Sequence, residues 1–120
     1  MKSKGFTLIE LLVVISIIAV LVGISIFGLS GAREAARDAR RKSDLESIRS
    51  GLELYKADCN SYPAAAPAAG ANLVGNGVPT SCAASNVYIT GFPADPVPAS
   101  RSYRYTYTAA TGTFTLCAAL

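Results

Sequence analysis

The chain is 120 residues long, 51% hydrophobic and 16% charged, with a formal net charge of +3, which places it among membrane-associated rather than plain globular proteins. Lys2 and Lys4 supply two of the positive charges, so from Phe6 onward the balance is +1, too weak to argue for nucleic acid by charge alone. Histidine is absent, which removes the side chain most used for general acid–base work and the most frequent transition-metal ligand; no enzyme, metal or cofactor is expected.

In chain order, a short basic leader precedes an apolar run from residue 6 to 29 in which Glu10 is the one charge. As a helix the run is about 36 Å long, against a hydrocarbon core of about 30 Å, so it predicts a membrane span. A secretory signal would need a shorter apolar core with a small-residue cleavage site after it. An acid is costly inside such a span, so Glu10 needs a partner.

The string Lys4-Gly5-Phe6-Thr7-Leu8-Ile9-Glu10, with its basic leader and the apolar helix that follows, resembles the start of type IV pilins and of the pseudopilins of type II secretion. The resemblance implies cleavage between Gly5 and Phe6 by a membrane aspartyl peptidase that also methylates the new amine of Phe6. It implies too a head outside the cytoplasm, anchored by a single span in the inner membrane, and assembly with other pilin subunits on a membrane platform into a filament at the cell surface or in the envelope. Simple Lys/Arg counting points the other way, because Arg33, Arg37, Arg40, Arg41 and Lys42 follow the span and would hold that side in the cytoplasm. The cysteines side with the family, since a disulfide suits an oxidising compartment. Physical reasons attach to each motif position. Gly5 has no side chain to obstruct a protease cleft. The amine freed at Phe6 is cationic near neutral pH and lies one helical turn from Glu10. The expected role of Glu10 is to hold that amine, most usefully on a neighbouring subunit, and so to set register during assembly.

Beyond Gly31 the sequence continues in good helix formers to about Asp58, predicting one helix from Phe6 of about 80 Å. Many relatives of the resembled family carry a proline near the position of Phe27. Here Gly23, Gly28 and Gly31, with Ser25 and Ser30, weaken the helix only locally. From Arg33 to Asp44, alanines alternate with dense charges of both signs. This neck reads as a solvated helix face, an intersubunit charge zone, or a phosphate-binding set of Arg37, Arg40, Arg41 and Lys42; nucleic acid is disfavoured rather than closed off. Asp38 is expected to pair with Lys42. Leu45, Ile48, Leu52, Tyr55 and Cys59 recur at steps of three and four and predict a buried face, with Glu46, Arg49, Glu53 and Lys56 in water.

Residues 60–79 read as loop, broken by Pro63, Pro67 and Pro79. Strand patterns follow at 86–92, from Ser102 and from Thr113, the last two joined by a hairpin loop at 109–112. Tyr103, Tyr105 and Tyr107 alternate with polar residues, and Phe114, Leu116, Ala118 and Leu120 share one side. The tyrosines fit core packing better than a stacking platform. Asp58 and Asp95 are the only acids after Glu53, too few for calcium. Of Cys59, Cys82 and Cys117, any pair could bond with one thiol left over. Cys59 with Cys82 is favoured because it closes the loop, for about 3 kcal/mol in the chain-entropy model, and Cys82 with Cys117 is the alternative.

The expected fold is therefore α+β and pilin-like: a leader at 1–5, a membrane and polymerisation helix at 6–29, its amphipathic continuation at 30–58, and a head at 59–120 carrying an antiparallel sheet of about three strands. The expected function is that of a structural subunit of a type IV pilus or type II secretion pseudopilus. The competing reading is a membrane-tethered module binding DNA or a surface ligand without polymerising, for which Arg101 and Arg104 are the one basic pair in the head.

Overall fold

A computed structural model describes residues 5–120; the leader before Gly5, including Lys2 and Lys4, lies outside the described residues. One helix, α1 (Leu8–Cys59), is followed by two short ribbons, β1 (Leu73–Val74) with β2 (Val87–Ile89) and β3 (Arg104–Thr108) with β4 (Thr113–Cys117). The chain divides into two compact units, one ending at Ala36 and the other starting at Arg37.

In the first unit, α1 begins two residues later than the sequence pattern suggested, because Thr7 caps it. The Thr7 hydroxyl accepts the Glu10 N–H at 3.3 Å and the Glu10 carboxylate accepts the Thr7 N–H at 2.8 Å. This is the reciprocal capping box written as Thr-x-x-Glu, which satisfies two donors that a helix start leaves unpaired. The helix then continues unbroken through Gly23, Gly28 and Gly31. Its hydroxyls turn back on the backbone: Ser16 donates to the Leu12 carbonyl and Ser25 to the Leu21 carbonyl, both at 2.8 Å, and Ser30 to the Phe27 carbonyl at 3.3 Å. A polar atom left unpaired in hydrocarbon is costly, so these local bonds let serine sit in an apolar segment.

In the second unit, the face of α1 predicted to be buried is buried: Ile48, Leu52, Tyr55 and Cys59 pack with Leu73, Cys82 and Phe92. Each fully buried aliphatic side chain contributes about 1.5–3 kcal/mol. Leu45 is half-buried, while Glu46, Arg49, Glu53 and Lys56 are exposed. Gly51 sits where α1 passes closest to β2, since a Cβ there would overlap the Ile89 side chain. The helix ends at Asn60, whose φ of 59° is left-handed and whose N–H bonds the Lys56 carbonyl at 2.9 Å, an αL cap.

The sheet differs from the expectation of about three strands in one layer. β2 pairs antiparallel with β1, a two-residue strand inside the segment read as loop, and β3 pairs only with β4. Two residues are too few to leave an alternating pattern in the sequence. Between β2 and β3 come Pro93, Pro96 and Pro98, which lack the amide donors a continuous ladder needs. The hairpin itself has the expected loop, and its register sets Arg104 opposite Cys117 and Thr108 opposite Thr113. Tyr103, Tyr105 and Tyr107 are half-buried on its inner face with Phe114 and Leu116. Leu120 lies past the end of β4 and is exposed, not on that face.

Candidate functional site

Two groups of residues stand out, one in each unit. In the first, the large apolar side chains of α1 from Leu8 to Leu29 all face outward, most of them more than half exposed. The helix contains a stretch long and apolar enough to cross a membrane. Glu10 is the acid in its first turn. Its Oε2 accepts both the N–H and the hydroxyl of Thr7, each at 2.8 Å. In the described chain Phe6 is joined to Gly5, so its nitrogen is an amide rather than the cation expected of a processed terminus. Phe6 itself is 89% exposed, and the Gly5–Phe6 bond lies outside the helix.

The second group lies where α1 meets the proline-rich segment before β3. Arg41 is 2% exposed. Its Nε donates to Asp95 Oδ2 at 2.8 Å, its Nη2 to Asp95 Oδ1 at 3.1 Å, and its Nη1 to Asp38. Asp95 also accepts the Val97 N–H at 2.8 Å. This two-pronged pairing matches the planar fork of a guanidinium to a carboxylate. It holds the Asp95 carboxyl below the usual carboxylate range, with the Val97 amide adding to the effect. The same contacts raise the already high pKa of Arg41. Nearby, the Tyr103 hydroxyl donates to Asp44 at 2.7 Å; burial first, and Asp44 second, push its pKa up. The Tyr105 hydroxyl donates to the Pro63 carbonyl at 2.7 Å, and burial pushes it up to about 12.

These contacts correct the reading of the neck as a wholly solvated helix. Asp38 pairs with Arg41 rather than Lys42, and Arg41 is withdrawn from the proposed phosphate-binding set into the head. A signal was present, because Arg41 continues the 45, 48, 52, 55, 59 stripe by one further step of four. Thr7 too was missed, although Thr-x-x-Glu before an apolar run marks a helix start. Cys59 and Cys82 are disulfide-bonded across a separation of 23 residues, and Cys117 is free and exposed. Both late acids are engaged, Asp95 as described and Asp58 with the Tyr88 hydroxyl at 3.0 Å. Among the described residues no group of three or more Cys, Asp or Glu is placed to hold a metal ion.

An apolar helix capped by its own acid, followed by a small α+β head, defines the pilin-like class of filament subunits. A family model described as "Prokaryotic N-terminal methylation motif" matches residues 1–29, and one described as "Type II secretion system (T2SS), protein G" matches residues 29–119. The chain belongs to the type II secretion system protein G family. Among curated relatives, it is 35% identical over 97 residues to the type II secretion system core protein G of Escherichia coli, covering 79% of this chain and 67% of that one. It is 42% identical over 62 residues to the core protein G of Pectobacterium carotovorum, covering 52% and 40% of the two chains. It is 47% identical over 61 residues to the type IV wide pilus major component PilA4 of Thermus thermophilus, covering 51% and 47%. The matches thus span from two fifths to two thirds of these relatives' own lengths. No solved structure matches the chain.

Proposed function

We propose that the chain is the structural subunit of a type II secretion pseudopilus. It enters the inner membrane as a single-span precursor with its head outside the cytoplasm, is cut after Gly5 and methylated at Phe6 by a prepilin peptidase, and polymerises through its apolar helix on a membrane platform. In this reading residues 1–5 are the leader, 6–29 the part that exchanges lipid for neighbouring subunits, 30–58 its continuation, and 59–120 the head. The observation that carries it is the apolar surface of α1, which has no partner among the described residues of its own unit and holds one acid in its first turn.

Cutting before Phe6 creates a cation one turn from Glu10. The Glu10 carboxylate bonds Thr7 through one oxygen; the other, without a partner among the described residues, would receive an amine from the same chain or an adjoining one. An ion pair between subunits fixes their register, because a charge out of place in an apolar setting is costly. Mass measurement of the N-terminus in native membranes tests the processing step: the expected first residue is methylated Phe6, and a mature chain that begins at Met1 yet forms filaments would sink the reading.

A further inference from the structure

We infer that the free edge of β3 is a docking groove for an extended, acidic stretch of another protein, which joins the hairpin as a third strand. An open groove of about 740 Å³ runs along this part of the head. Six successive residues, Ser102–Tyr107, border it. Side chains of a strand alternate between faces, so successive residues share one groove only where it follows the strand's edge. The far wall is the Ala64–Pro67 segment together with Phe92–Asp95 and Pro98. Among the described residues, no segment other than β4 bonds to the backbone of Ser102–Tyr107. Alternate N–H and C=O groups on that edge therefore stand ready for a partner strand. Arg104–Thr108 would pair with about 17 Å of it.

Charge selects the occupant. Arg101 and Arg104 border the groove, and neither makes a salt bridge among the described residues. Asp95, the one acid on its wall, is taken up by Arg41. Arg101 donates its Nη1 to the Ala119 carbonyl at 3.2 Å and adds to the field that lowers Asp95. Among the described residues Arg104 is therefore the groove cation without a partner, and an incoming strand with carboxylates on its outer positions supplies one. The side-chain carboxylates of a second copy are poorly placed to do so, since all but Asp95 lie on α1.

The test uses the full chain in detergent micelles and two labelled peptides capped at both ends, Thr-Val-Glu-Val-Glu-Val-Thr and its counterpart with lysine in place of glutamate. The acidic peptide is expected to bind about tenfold more tightly and to slow amide exchange at alternate positions of residues 102–107. Arg104→Glu, at an exposed site, is expected to reverse the preference, and Arg104→Gln to abolish it, with unchanged melting of the head in both. Equal affinity for the two peptides overturns the inference. So does protection of the same amides on raising the protein concentration without peptide, which would assign the edge to a second copy. Absence of binding at about 1 mM peptide would leave Arg101 and Arg104 as charges that merely keep the edge from pairing, and overturns it equally.

Discussion

The two stretches of α1 treat their apolar side chains in opposite ways. From Leu8 to Leu29 the helix is apolar on every side, and among the described residues of its own unit those side chains find no partner. From Arg41 to Cys59 the apolar positions other than Leu54 form one stripe that the head covers, and the other faces carry charge. Helix propensity hardly distinguishes them. What differs is the width of the apolar surface: a stripe can be satisfied by a small head within one chain, whereas an all-round apolar helix must be satisfied by lipid or by other helices.

The largest expected effect separates the stretches outright. Glu10→Leu should leave the chain in the membrane fraction and the head folded while filaments fall below detection; normal numbers of filaments in electron micrographs would show that the acid does not set register. Within the head, Arg41→Ala should lower the melting temperature by about 15 °C, because it leaves Asp95 buried without its cation. The pair Arg41→Met with Asp95→Leu should cost less than either single change, and calorimetry of all three variants checks this. Cys82→Ser opens the loop closed by Cys59 and Cys82 and should cost about 3 kcal/mol, near 12 °C, with no effect on membrane insertion. Gly51→Ala gains helix propensity of about 1 kcal/mol but forces a methyl into Ile89. The net expectation is a loss of about 1–2 kcal/mol, and a stabilised variant would mean that β2 shifts freely away from α1.

The smallest effect is the pH dependence of the head. Asp95 binds its proton less tightly folded than unfolded, so its contribution is complete above the unfolded carboxylate value of about 3.9 and drains away as pH falls through the lowered folded value. Tyr105 has the opposite sign. Its folded value of about 12 exceeds the unfolded value of about 10, so stability holds below pH 10 and is lost from there to about pH 12. Tyr103 shifts in the same direction. Melting curves of Asp95→Asn and Tyr105→Phe should flatten the acid and the alkaline limb respectively.

Much of this molecule was legible from local pattern. The long apolar helix, the buried stripe of α1 and the hairpin from Arg104 to Cys117 each follow from a local pattern of apolar residues that tertiary contacts do not need to decide. What escaped the pattern was set by distance along the chain. Arg41 meets Asp95 across 54 residues, and β1 exists only because β2 lies beside it. Leu73 and Val74 carry no strand signal of their own. Thr7 is the exception, a purely local cap whose Thr-x-x-Glu spelling was hidden by the attention that Glu10 draws as a lone acid.

The serines of the first unit have a further consequence. Because Ser16, Ser25 and Ser30 each keep their hydroxyl on a carbonyl of their own helix, the proposed transfer of the segment from lipid to neighbouring subunits would break no serine hydrogen bond and require no new one. Past Glu10, that exchange would turn on shape and close fit. A helix so self-contained would carry no serine penalty in either surrounding, so under the proposed function the same segment suits both growth and disassembly.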